Sequence, residues 1–206
     1  MTNVTASRRR ISPFRLSVVI VILAAVAFAG YASVLTDFLW FDQLGFSSVF
    51  VTKIVAQVAL FLIAALILGG ISGLSLSLAY RNRPIYLKFP DSGDPFGVYR
   101  ELIEQLRKGV MIGLPILLGI FGGVAATSKW DTVLAWLNRT YTGEVDPQFK
   151  LDISFYFFDL PFLTSVVTFA SATVLISGLL AAFVHTVFGG IRFNGRKSTI
   201  TKAARV

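Results

Sequence analysis

The chain has 206 residues, 55% of them hydrophobic, a mean hydropathy of +0.73 and a formal net charge of +8. Usage this apolar, gathered into runs of about 20 residues, excludes an ordinary water-soluble domain. The absence of cysteine excludes disulfides, thiolate metal sites and a thiol nucleophile. The positive charge sits beside apolar runs, where anionic headgroups attract it, and no nucleic-acid-binding motif accompanies it, so no nucleic-acid partner is expected.

Residues 1–15 form a basic N-terminus with Arg8, Arg9, Arg10 and Arg15. A first span is predicted over 16–35. It is too long for a signal-peptide core of about 7–15 residues, so it reads as an uncleaved anchor despite Ala27-Phe28-Ala29 near its outer end. The aromatic stretch Asp37 to Phe46 is expected to lie in the interface as a separate short helix. A second span covers 49–78, longer than a bilayer needs, so it tilts or protrudes. Lys53 and Gln57 lie one turn apart near its start, and Gly69 and Gly73 lie four apart further on, a spacing that lets another helix approach closely.

Between the second and third spans, Asp94-Pro95 reads as a helix N-cap and first turn. Phe96, Tyr99, Leu102, Ile103 and Leu106 follow at helical spacing. This amphipathic segment either lies on the inner leaflet or packs against a cytoplasmic part of the same protein. The third span, 109–127, carries the pairs Gly109/Gly113 and Gly119/Gly123 together with Pro115, which is expected to kink it. In the connection that follows, Thr132 to Leu137 suggests a helical turn, Gly143 to Pro147 a turn, and the alternation from Leu151 to Phe158 a short strand or extended segment. Asp159 before Pro161 reads as the start of a fourth span over 162–188. Residues 189–206 form a basic tail.

With the N-terminus in the cytoplasm, 15 of the 19 lysines and arginines fall inside. That asymmetry places both termini in the cytoplasm. The three tryptophans, Trp40, Trp130 and Trp136, then fall in outer connections, where amphipathic rings favour the headgroup level. The fold expected is an all-α integral membrane protein, a four-transmembrane-helix bundle with interfacial amphipathic segments.

Chemistry-bearing constellations are sparse. His185 is the lone histidine and reads as an interfacial side chain rather than a proton relay. Glu144, Asp146, Asp152 and Asp159 lack the spacing of a calcium loop and read as solvated or capping carboxylates. Asn138-Arg139-Thr140 is a formal glycosylation sequon, a weak signal. No catalytic, cofactor-binding or metal-ligating residue is expected, and the chain reads as no enzyme.

Two blocks carry a resemblance. Trp40-Phe41-Asp42-Gln43-Leu44-Gly45-Phe46-Ser47-Ser48-Val49-Phe50 opens the second span. Asp146-Pro147-Gln148-Phe149 then precedes Asp152-Ile153-Ser154-Phe155-Tyr156-Phe157-Phe158-Asp159-Leu160-Pro161-Phe162-Leu163. They resemble a large uncharacterised multi-pass membrane protein family of actinobacteria and cyanobacteria. The resemblance implies a bacterial plasma-membrane protein of which this chain is the N-terminal portion, its basic tail a truncated end. It brings no catalytic residue. The function expected is a structural, assembly or anchoring module of a larger envelope protein. Its partners would be the bilayer and other membrane helices, from the rest of the same protein or from a homo-oligomer. The alternative is a transporter or channel component, motivated by Pro115, the glycine-rich spans and the Lys53/Gln57 pair.

Overall fold

The computed structural model describes residues 13–82, 107–187, 191–194 and 197–200. Four of its helices are long and apolar enough to cross a membrane, and the protein is an all-α integral membrane protein. The chain divides into two compact units, Met1–Thr52 and Lys53–Val206.

In the first unit, α1 runs Pro13–Gln43 as one uninterrupted helix. The separate interfacial helix expected from Asp37 onward does not form, and Trp40 lies within α1. Nothing in that stretch can break a helix. Thr36, a potential new N-cap, donates its hydroxyl to the Ala32 carbonyl at 2.7 Å instead. The first breaker is Gly45, with φ +74°. It closes α1 by a Schellman arrangement, in which Gly45 N–H donates to the Asp42 carbonyl and Phe46 N–H to the Phe41 carbonyl. α2, Ser47–Arg81, starts at once. Phe50 in its first turn is buried, with ring centroids 5.7 Å from both Phe38 and Phe41.

The second unit is built on the antiparallel pair α2 and α3, Arg107–Thr127. At Gly69 and Gly119 their seam has no room for a side chain. A Cβ on Gly119 would stand 2.8 Å from the Ala65 carbonyl oxygen, and one on Gly69 would stand 3.1 Å from the Pro115 carbonyl oxygen. Gly122 and Gly123 meet Leu68 and Phe61 just as closely. A Cβ on Gly73 would meet the Pro115 ring at 3.5 Å; the proline is buried in the seam and α3 continues through it. The first glycine pair reads differently from expectation, since Gly109 and Gly113 face open space.

The last long helix, α5, Leu160–Val187, meets α2 through hydroxyls. Ser75 donates to the Ser177 carbonyl at 2.8 Å, and the Ser72 and Ser177 hydroxyls lie 3.5 Å apart. Ser72 has 0% exposure. Towards the Arg81 end, Leu76, Ala79 and Tyr80 of α2 pack with Val184 and Val187, flanked by Met111 and Ala181. Between α3 and α5 lies the short helix α4, Trp130–Leu137, longer than the single turn expected. The extended segment anticipated over 151–158 is instead a π-helical turn, Phe155–Asp159, leading straight into α5. Beyond α5, β1 (Ile191–Asn194) pairs antiparallel with β2 (Lys197–Ile200), Ile191 opposite Ile200. Among the described residues this hairpin departs from the all-α expectation. The amphipathic segment expected over 94–106 lies outside the described residues.

The geometry separates two glycines that the sequence treats alike. Gly119→Val is expected to destabilise the detergent-solubilised protein by about 1–3 kcal/mol, the usual cost of forcing volume into a packed seam. Gly113→Val is expected to be near neutral. Thermal unfolding followed by fluorescence-detected size exclusion reads both. Ser177→Ala is expected to cost only about 0.6 kcal/mol, the average for interhelical hydrogen bonds in bilayers.

Candidate functional site

The densest polar chemistry is the segment joining α3 to α5. α3 ends in back-bonded hydroxyls, Thr127 to the Val124 carbonyl and Ser128 to the Ala125 carbonyl. α4 follows and closes at Asn138, whose side-chain amide donates to the Leu134 carbonyl at 2.9 Å. The sequon asparagine is therefore a helix C-cap.

Trp136 on α4 stacks on Phe162 of α5, ring centroids 4.0 Å apart and planes 9° apart. Its indole N–H donates to Asp159 Oδ1 at 3.0 Å. Arg139 lies over the Trp136 ring at 5.0 Å, pairs with the same Asp159 oxygen at 3.5 Å, and donates to the Trp136 carbonyl at 3.1 Å. Asp159 thus ties α4 to α5 rather than starting a helix.

The helix-starting acid is Asp152. Its Oδ1 accepts from the Ser154 amide at 2.8 Å, the Thr142 amide at 3.2 Å and the Thr142 hydroxyl at 2.9 Å. Oδ2 accepts from the Gly143 amide at 2.9 Å. Hydrogen bonds from Ser154, then from Thr142 and Gly143, hold this carboxyl far below the usual carboxylate range against a smaller opposing effect of burial. Its acceptor sites are filled by donors of the same chain. A cation would have to strip them away.

Asp146 makes a second, smaller cradle. Its Oδ2 accepts from the Phe149 amide at 2.6 Å and the Gln148 amide at 3.1 Å. Asp146 N–H donates to the Leu151 carbonyl, Lys150 N–H to the Asp146 carbonyl and Ile153 N–H to the Glu144 carbonyl. Together with the Val145–Asp152 bridge these bonds make a closed loop. Lys150 occupies the left-handed region at φ 58°.

The acids Glu144, Asp146, Asp152 and Asp159 are therefore not gathered at one point. Among the described residues, no group of three His, Asp or Glu side chains could share a metal ion. His185 lies in the last turn of α5, its Nδ1 buried and without a partner among the described residues. Lys53 lies with its ammonium 5.8 Å from the Trp130 ring centroid. Sequence reading missed the Asp152 cradle, because Thr142 and Gly143 stand ten residues away with no periodic signal. It also missed the Trp136–Asp159 bond. The one available hint was an indole near a carboxylate at the edge of an apolar run.

The cradle makes cap stability depend on acid. Asp152 has a depressed folded-state pKa, so its contribution is complete above the unfolded carboxyl range of about 4 and is lost as pH falls from there towards the folded value. Limited proteolysis of the 139–152 segment should accelerate over that window. In Asp152→Asn it should be fast at neutral pH and should lose its acid dependence. Lys150→Gly is expected to slow proteolysis by relieving about 1 kcal/mol of left-handed strain.

The match to an uncharacterised protein family, UPF0182, covers residues 14–206. A UPF0182 protein of Clavibacter michiganensis is 41% identical over 205 residues, which is all of this chain and 20% of the relative. One of Nocardia farcinica is 40% identical over 93% of this chain and 19% of the relative. One of Kineococcus radiotolerans is 43% identical over 85% of this chain and 17% of the relative. No solved structure matches the chain. The chain spans about a fifth of the length of these curated relatives, and with the family match running from the first helix to Val206, it belongs to the UPF0182 family.

Proposed function

We propose that this region is a non-enzymatic assembly and anchoring module of a larger envelope protein, held in the plasma membrane with both termini cytoplasmic. Its partners are the bilayer and other membrane helices. The observation that carries the reading is the α2–α3 seam, where a Cβ on Gly119 has only 2.8 Å to the Ala65 carbonyl oxygen. Such a contact makes a rigid pair without a path between the helices. The cap supports the same reading, since Asp146, Asp152 and Asp159 are all engaged in holding local structure. The excess of lysine and arginine in the N-terminus, the 79–108 connection and the tail supports the orientation.

The transporter alternative drew on Pro115 as a hinge. Pro115 is buried against Gly69 and Gly73, which favours a packing role.

These 206 residues contain no cysteine, so single cysteines introduced into them report topology directly. In intact cells an impermeant maleimide is expected to label Val145→Cys and to spare Pro95→Cys and Lys202→Cys. Labelling of positions 95 and 145 from the same face would sink the orientation. For function, Gly119→Val should lower the amount of assembled protein in membranes. Liposomes bearing the wild-type chain should show no solute flux above empty controls, and a flux abolished by Pro115→Ala would overturn the module reading.

A further inference from the structure

The shortest span supplies a ruler for the others. Gly109–Thr127 is 19 residues long, about 28 Å of helix, so its two ends mark the two edges of a hydrocarbon core of about 30 Å. Trp130 begins α4 three residues past Thr127, at headgroup level, where indoles concentrate. The antiparallel seam runs Gly73 against Pro115, Ala65 against Gly119 and Phe61 against Gly123. Continued by one and two turns, it brings Gln57 to the edge of the hydrocarbon and Lys53 just beyond it. The contact between Lys53 and the Trp130 ring, 5.8 Å from ammonium to centroid, agrees with that register.

Lys53 is half-buried and has no carboxylate partner among the described residues. Four of the five acids between α3 and α5 have partners of their own. Asp159 takes Trp136 and Arg139, Asp152 takes Thr142, Gly143 and Ser154, and Asp146 takes Gln148 and Phe149. Asp131, beside Trp130 in sequence, accepts from its own neighbour Thr132 at 2.7 Å. Gln57, one turn below Lys53 on the same face, is half-buried, and its side chain makes no hydrogen bond among the described residues. Lys129, adjacent to Trp130, is exposed. An ammonium with no carboxylate partner among the described residues thus lies against an aromatic ring at the depth of the lipid phosphates, with a side-chain amide one turn below it on the same helix face.

We infer that Lys53, Gln57 and Trp130 form a binding site for a phosphate group, that of an anionic phospholipid headgroup, with Lys53 as the anchoring cation and Gln57 donating from below. A lysine that merely snorkels would be served by any headgroup. This one is held against a ring, and Gln57 adds a donor that only a ligand reaching below the ammonium can use. The inference rests on the membrane placement but not on which face is outside.

The test is lipid retention by the full chain, read by native mass spectrometry after extraction from vesicles of equal phosphatidylglycerol and phosphatidylcholine. Wild type is expected to retain phosphatidylglycerol preferentially. Lys53→Met should cut that preference about fivefold, the worth of one basic residue at a membrane surface. Lys53→Arg should keep it, and Gln57→Leu should weaken it. Lys150→Gln, at the exposed loop, should leave it unchanged. Adding excess inorganic phosphate identifies the source of the chemistry: displacement of the lipid only when Lys53 is present assigns the site to phosphate itself, and no displacement assigns it to the headgroup with its chains. Equal retention by wild type and Lys53→Met, or an equal loss in Lys150→Gln, would overturn the site. A correctly sized elution peak for Lys53→Met excludes misfolding as the cause. The cysteine-labelling result is unaffected by either outcome, so the site and the orientation fail separately.

Discussion

Contact between two backbones, with no side chain between them, organises the second unit of this protein. In hydrocarbon there is no hydrophobic drive to bring helices together, so their association relies on close packing and on hydrogen bonds. At Gly119 and Ala65 the approach leaves no room for a Cβ. That single registration decides what faces what elsewhere. It sets Trp130 beside Lys53 at one end and Met111 beside the Leu76–Tyr80 cluster at the other. The hydroxyls obey the same scarcity of partners. Thr173 and Thr186 bond carbonyls four residues back in their own helix, and Ser75 reaches across to Ser177. Lipid offers nothing to a polar group left over.

The cap at the Trp130 end is held by a different chemistry. It has little apolar interior and is fixed by carboxylates that gather amides. Asp152 closes the start of the helix that enters the membrane and, through Thr142 and Gly143, pins the returning strand of loop to it. A carboxylate at a helix start also meets the positive end of the helix dipole. Trp136 is clamped between Phe162 and Arg139. The aromatic richness that suggested interface residues therefore serves two purposes, headgroup affinity and internal stacking.

Hydropathy made the existence of the four long helices legible, and their ends were not. The first runs to Gln43 rather than residue 35, because the aromatic residues that follow the apolar run continue a helix as readily as they would start one. Only Gly45, able to take a positive φ, stops it. α5 starts directly after Asp159, at Leu160, but the helical run leading into it opens just beyond Asp152, since both acids precede apolar residues and only the tertiary partners Thr142 and Trp136 tell them apart. Among glycines, spacing identified the right helix and half the right residues. Gly119 and Gly123 are in the seam while Gly109 and Gly113 are open, because four-residue spacing marks a face without saying whether a neighbour reaches it. The acids read as solvated or capping carboxylates, whereas the duties of Asp152 and Asp159 depend on contacts across about ten or more residues.

The turn at Phe155–Asp159 follows from Pro161. Proline cannot donate to the helix ladder, and its ring crowds the carbonyl four residues earlier. Widening the preceding turn, with Leu160 N–H reaching back to the Phe155 carbonyl, gives the ring room. Such a turn contains one residue more than an α-helix would use. Removing that residue would swing everything before it by about 100° around the axis, carrying Tyr156 off its side of the loop and parting the cap from its own foundation. Length in this short stretch is thus as constrained as composition: a one-codon deletion here would act on the whole connection between α3 and α5, whereas the same deletion at an open loop tip would be absorbed.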